Sequence, residues 1–248
     1  VICTVIIGLV AGGIAGAIPG ILRAYLGTSE VIVTIMMNYI ILYVANNIIR
    51  FGFTADMLRS SEASNKVVAS ASYQTEYLSQ ITGGSRFNIG FFLALAAAFL
   101  VWFLLKKTTT GFEITSVGLN PHASEYAGMS SKRVIIMSMI ISGALCGLGG
   151  TVEGLGTFQN VFVQNASLAI GWNGMAVALL ASNSPIGIPF AALLYGVLSI
   201  GKSGMIGVPS EIIDVVSALI IFFVGANYII RYWVRPRHKS VKAKGGQN

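Results

Sequence analysis

The residues best equipped for chemistry in this 248-residue chain are amides and aromatics, and the chemistry they can do is recognition. In the stretch EGLGTFQNVFVQNASLAIGWNG, Phe158, Phe162 and Trp172 offer flat apolar faces, while Gln159, Asn160, Gln164, Asn165 and Asn173 offer groups that both donate and accept hydrogen bonds. Flat faces suit bases and amides suit riboses. A sugar would engage the same amides, and an interfacial aromatic belt above a solvated loop would have the same composition. A second set, Glu30, Thr34 and Asn38, recurs every fourth residue and draws one polar line along an otherwise apolar helix. In a bilayer that line needs partners or water, so it is expected to face a bundle interior, either as interhelical hydrogen bonding or as the wall of a solute path. Bond-making chemistry has no comparable support. His122 and His238 lie far apart, the acids do not pair by motif, no G-x-x-x-x-G-K-[ST] phosphate loop occurs, and Cys3 and Cys146 have no metal or disulfide spacing. No cofactor or metal is expected on this chain, and any ATP chemistry belongs to a partner.

A different kind of signal lies in the polar interruption Lys106 to Arg133, KKTTTGFEITSVGLNPHASEYAGMSSKR. Asn120 can cap a helix, Pro121 suits its first position because no amide hydrogen is needed there, and Gly128 is a natural stop. About two turns result, with Ala123, Tyr126 and Ala127 on one face at helical spacing. Small side chains beside one aromatic suit docking into another protein's groove, although a plain solvated connector is the commoner use of such a loop.

These residues must be held by a membrane scaffold. The composition is 54% hydrophobic and 10% charged with a mean hydropathy of +0.76, whereas soluble domains carry about 25% charged residues. An all-α polytopic protein of about seven spans is expected, at 1–22, 30–49, 87–105, 134–152, 168–181, 188–200 and 212–230, within a membrane domain 1–231. A basic tail, 232–248, follows. Segment 50–86 reads as an outer loop with a possible short helix near Tyr73 to Ser79, Lys202 and Glu211 fall in a second outer loop, and Glu153 to Ser167 reads as a broken or re-entrant outer segment. Gly8, Gly12, Gly16 and Gly20 form a smooth helix face for close packing, and Gly143 and Gly147 repeat that spacing. Placing loop 106–133 inside puts eleven Lys or Arg on the inner side against five outside, so the tail is expected in the cytoplasm. The net charge of +7 follows from this asymmetry and does not point to nucleic acid.

The loop also resembles a known family. Permease subunits of ATP-binding-cassette importers in the branched-chain amino acid and simple sugar class carry T-x-G-F-x-I-x-x-V-G-x-N-P-x-A-x-x-A-G, which stands here as Thr110-Gly111-Phe112-Glu113-Ile114, Val117-Gly118, Asn120-Pro121, Ala123 and Ala127-Gly128. The segments SEVIVTIMMNYI and GWNGMAVALLASNSPIG are similar to the nucleoside-transporting branch. The resemblance implies that the loop docks on a cytoplasmic ATPase through Gly111, Glu113, Gly118, Asn120, Pro121, Ala123, Tyr126, Ala127 and Gly128. It also implies a second permease subunit, an outer substrate-binding lipoprotein, a bacterial plasma membrane, and further spans before the first one here. A nucleoside path would involve Thr34, Asn38, Phe158, Asn160, Trp172 and Asn173. Two departures bear on it: the family tends to have an acid at Asn173, and glycines at Ala181 and Ser182. A passive channel or a structural membrane subunit would be the rivals.

Overall fold

The computed structural model describes residues 1–53, 57–60, 63–68, 71–75, 80, 83, 87–166, 170–204, 215, 218–219 and 222. The chain divides into two compact units, Val1–Ala169 and Ile170–Asn248.

In the first unit, α1 (Ile2–Leu26) ends at Gly27, whose φ of 65° gives the left-handed cap that glycine adopts without a Cβ penalty. This helix runs past the expected span 1–22 and takes in Arg23 to Leu26. Helix α2 (Glu30–Asn47) runs on into a π-helical turn, Ile48–Gly52. A short antiparallel ribbon follows, β1 (Leu58–Ser60) with β2 (Ala63–Ser64), so the region expected to be only loop contains sheet. Tyr73–Thr75 is not helical, and the rest of the short helix expected there lies outside the described residues. Helix α3 (Gly90–Lys107) leads to α4 (Thr109–Leu119), α5 (Pro121–Tyr126) and α6 (Ser131–Val152), which continues as a π-helix over Glu153–Phe158.

Among the described residues four helical segments are long and apolar enough to cross a membrane: Ile2–Leu26, Glu30–Gly52, Gly90–Lys107 and Ser131–Phe158. At about 1.5 Å per residue even the 18-residue third segment reaches about 27 Å, close to the ~30 Å hydrocarbon thickness.

The glycine faces of α1 and α6 meet. A Cβ on Gly12 would strike the Gly143 carbonyl and lie 2.8 Å from Gly147 Cα, while one on Gly143 would strike the Gly12 carbonyl and lie 2.8 Å from Gly16 Cα. As numbers climb from Gly8 to Gly20, partners fall from Thr151 and Gly147 to Met139 and Ile136, so the helices run antiparallel. In lipid, where apolar surface gains little by leaving its solvent, such backbone contact is what holds helices together. Among the described helices no other pair is so intimate. Most of α2 and α3 is exposed, with 6% of each span's window buried, leaving those surfaces for lipid or protein.

The second unit is described by itself. Helix α7 (Ile170–Leu180) and α8 (Gly187–Gly204) are joined by a tight turn. Ser182 and Asn183 both take left-handed φ, 53° and 56°. The Asn183 amide donates to Ala178 O at 2.8 Å and Ser182 N to Leu179 O at 2.9 Å, which satisfies the last carbonyls of α7. Ser182 thus occupies a conformation that glycine would adopt with less strain, at one of the two positions where the family pattern has glycine. At 11 residues α7 extends only about 16 Å. Lys202, expected in a loop, lies in α8. The seventh expected span, 212–230, Glu211 and the tail 232–248 fall almost wholly outside the described residues.

Candidate functional site

The antiparallel seam gives the first unit two ends. One is basic, gathering Arg23 and Tyr25 of α1 with Lys132 of α6, whose Nζ lies 5.3 Å from the centre of the Tyr25 ring. Arg23 Nε pairs with Glu30 at 3.0 Å across the α1–α2 turn, which satisfies the first member of the polar line.

At this end the chain folds back sharply after α3. Thr108 donates from Oγ1 to Leu104 O at 2.6 Å and accepts from Gly111 N at 3.1 Å, so one hydroxyl closes α3 and opens α4. A Cβ on Gly111 would strike Leu104 O and lie 2.6 Å from Leu105 Cα, and only glycine lets α4 pack this closely against α3. Helix α4 went unread in the sequence although Thr108 was a cap signal. Helix α5 then forms as its sequence dictates. Asn120 Oδ1 accepts from Ala123 N at 3.1 Å with Pro121 at the first position, and Gly128 closes it at φ 84°. The Met129 amide donates to Ser124 O at 3.0 Å and the Gly128 amide to Glu125 O at 2.9 Å, so both ends are capped. Two serines tie the helix down: Ser124 is 5% exposed and donates from Oγ to Asn120 O at 2.9 Å, while Ser131 Oγ of α6 donates to Pro121 O at 3.3 Å. Everything else on α5 points outward. Ala123, Tyr126 and Ala127 are exposed, Tyr126 at 96%, with Leu119 at 83% beside them, and Glu125 is exposed too. Gly118 has open space where a Cβ would be, and Glu113 is half-buried.

The opposite end is a polar cap. Here the segment after α6 is stitched to distant loops: Ser64 N donates to Val161 O at 2.8 Å, Val161 N to Ser64 Oγ at 2.9 Å, and Val67 N to Gln159 O at 2.8 Å. Gln159 sits at φ 57° and donates through Nε2 to both Ser72 Oγ and Gln74 Oε1. Its amide is therefore committed to structure. Tyr73 is fully buried, with its hydroxyl 3.0 Å from Thr4 Oγ1 and its backbone bonded to Leu155 and Ile89. Asn88, 9% exposed, caps α3 through Gly90 N and packs against Gly156. Segment 153–167, expected to be broken or re-entrant, is helical to Phe158 and then runs without helix through residue 166.

Beside this cap an open groove of about 280 Å³ is lined by Tyr43, Asn46, Asn47, Arg50, Phe51, Gln164 and Asn165. Asn46 builds it, since its Nδ2 donates to Gln164 O at 2.7 Å while its Oδ1 accepts from Gln164 N at 3.0 Å. Asn47, Arg50 and Asn165 remain exposed, beside the exposed rings of Tyr43 and Phe51. The volume is at the lower edge of the ~300 Å³ typical of ligand pockets, so the groove fits one face of a small polar solute. Sequence reasoning missed the α2 half of it. The signal was present: Asn46 continues the fourfold spacing of Glu30, Thr34 and Asn38 after one apolar position. Thr34 and Asn38 themselves are exposed on α2, not buried in this chain, and the Thr34 hydroxyl donates back to Glu30 O at 2.8 Å. Phe158 and Phe162 meet edge to face at 5.1 Å, and Asn160 is half-buried next to them. Trp172, 66% exposed, and Asn173 belong to α7 in the second unit. Among the described residues no cluster of His, Cys, Asp or Glu could hold a metal ion.

A helical chain with several apolar helices of spanning length, two of them packed along an antiparallel glycine seam, is a multi-pass membrane protein. The chain belongs to the family described as the branched-chain amino acid transport system permease component, which matches residues 1–225. It is 51% identical to a nucleoside ABC transporter permease protein of Lactococcus lactis over 96% of this chain and 66% of that one. A guanosine ABC transporter permease protein of Bacillus subtilis is 48% identical over 90% of this chain and 64% of its own length. A glucose ABC transporter permease protein of Haloferax volcanii is 29% identical over 91% and 61%. The chain thus spans just under two thirds of the length of these relatives. No solved structure matches it.

Proposed function

We propose that this chain is the membrane-spanning subunit of an ATP-driven importer and forms part of the path of a nucleoside. The observation that carries the coupling role is α5, a helix capped at both ends, tied to α6 through Ser131, and exposing Ala123, Tyr126 and Ala127. A rigid short helix rooted on a spanning helix transmits a push from a docked motor, whereas a solvated connector has no need of two caps. Nucleoside is favoured over sugar because two relatives named for nucleosides or guanosine are 51% and 48% identical over at least 90% of this chain, against 29% for those named for glucose and fructose.

In this reading the basic end faces the cytoplasm, as does the C-terminal tail, and ATP is bound and hydrolysed on a separate ATPase. About seven spans and an outer segment at 153–167 surround the path in a bacterial plasma membrane. A second permease subunit completes it and an outer lipoprotein delivers the solute. Thr34, Asn38, Phe158, Asn160, Trp172 and Asn173 line the way, joined by Asn47 and Asn165 at the groove. ATP-driven closure displaces α5 and shifts α6 with it, alternating which side the path opens to.

The test is co-purified ATPase per permease, with uptake of labelled nucleosides and hexoses in reconstituted vesicles. Ala123→Trp and Ala127→Trp should abolish uptake and release the ATPase, since overfilling a close contact costs about 1–3 kcal/mol, while Glu125→Ala should change neither. Both quantities at wild-type level in the tryptophan variants would sink the coupling role, and hexose uptake without nucleoside uptake would sink the solute.

A further inference from the structure

The basic end holds a feature that transport does not explain. At the foot of the seam an open groove of about 510 Å³ is lined by Tyr25, Ser130, Lys132, Arg133, Ile136, Met137 and Ile140. Its rim carries two cations from adjacent positions of α6, both exposed. Among the described residues the only ion pair is Arg23–Glu30, so no carboxylate neutralises either one. Lys132 is held over the Tyr25 ring, which fixes one charge at the mouth. Below the rim the wall turns aliphatic with Ile136 and Met137 and, one helical turn further along α6, Ile140. The close approach of Gly20 to Ile136 keeps the floor continuous with the seam.

We infer that this groove is a binding site for an anionic phospholipid, with the phosphate between Lys132 and Arg133 and the upper acyl chain along Ile136, Met137 and Ile140. The arrangement selects that occupant on three counts. Cations complement an anionic headgroup. The aliphatic wall directly beneath them has no use for a free phosphate ion. The groove opens at the end of two membrane-spanning helices, where headgroups and acyl chains meet. A lipid seated there would brace the foot of α6, the helix on which α5 is rooted. The inference needs only that α1 and α6 cross a membrane, so its failure and that of the importer reading are separable.

The experiment is native mass spectrometry of the full chain, purified with its associated subunits and titrated with phosphatidylglycerol or phosphatidylcholine. The unmutated protein should retain phosphatidylglycerol preferentially. That preference should fall about fivefold when either cation is neutralised and about thirtyfold in Lys132→Gln/Arg133→Gln, from the usual contribution of one basic residue near an anionic surface. Met137→Trp, which fills the groove and spares the charges, should also lose the lipid. Lys106→Gln/Lys107→Gln, at the same end but outside the groove, should retain it. An equal loss in that control would mean diffuse surface charge, and undiminished retention in Met137→Trp would mean no groove site. Displacement by inorganic phosphate would reassign the site to a free anion. Loss of the ATPase from Lys132→Gln/Arg133→Gln with lipid retention unchanged would assign the pair to a protein partner. Each of these four results overturns the lipid site.

Discussion

The two ends of α6 are built in opposite ways. At the polar cap, contacts join residues far apart in sequence and bury what they join: Tyr73 is fully buried, Asn88 is 9% exposed, and Asn46 grips Gln164 across 118 positions. At the basic end, apart from Lys132 over the Tyr25 ring, contacts are local, a cap here and a turn there, and Tyr126 and Leu119 stay out of the fold at 96% and 83% exposure. The cap is completed within the chain. The basic end leaves its side chains exposed. Between them runs the glycine seam, where α1 and α6 touch backbone to backbone from Gly8 against Gly147 to Gly20 against Ile136.

The largest expected effect breaks the closed end. Tyr73→Ala removes a fully buried ring and leaves Thr4 without its hydroxyl partner, and truncating a buried aromatic costs about 3–5 kcal/mol. Thermal unfolding of the detergent-solubilised protein should shift strongly downward. Wild-type stability would mean the polar cap is not a core at all. Next comes the seam. Gly143→Ile places a branched side chain against the Gly12 carbonyl and Gly16, so the helices must part at a cost of about 1–3 kcal/mol or more. Gly149→Ala and Gly150→Ala, with open space at both positions, should leave stability within about 0.5 kcal/mol or raise it slightly. If Gly143→Ile and Gly149→Ala behave alike, close approach is not what holds α1 to α6.

How much of this could be read beforehand follows the same division. The basic end was legible because its signals are local: Asn120, Pro121 and Gly128 stand within nine residues and each acts on its own neighbours. So were both halves of the seam, through Gly8, Gly12, Gly16 and Gly20 and through Gly143 and Gly147, although nothing local says that the two faces meet. The polar cap was not legible. Its strands are three and two residues long, too short to show alternation, and its bonds run between single side chains and backbone groups in segments that look like loops. Asn46 shows the limit well, since its spacing was visible and its partner, Gln164, was not. Helix α4 escaped for another reason: Gly111 and Gly118 lower its helix propensity, and the packing of α4 on α3 and α6, which buries Gly111 and Val117, supports it beyond the Thr108 cap.

The smallest expected effect on stability is the sharpest test of the contrast, and it concerns the caps of α5. Asn120→Ala removes the acceptor for Ala123 N, and such a cap is typically worth about 1 kcal/mol. Gly128→Ala adds a methyl group where there is open space, so only the left-handed φ of 84° is penalised, by about 1–2 kcal/mol. Because α5 is a six-residue helix fixed mainly through Ser124 and Ser131, that energy frays α5 and does not unfold α6. Hydrogen exchange should rise over residues 121–129 in both variants and stay unchanged across the seam, with the unfolding temperature barely moved. Under the proposed coupling role, recovery of the ATPase should fall in proportion, because a frayed helix would have to be ordered again before docking. If exchange instead rises along α6 as far as Gly143, α5 belongs to the core of the fold, and the basic end is as closed as the polar cap.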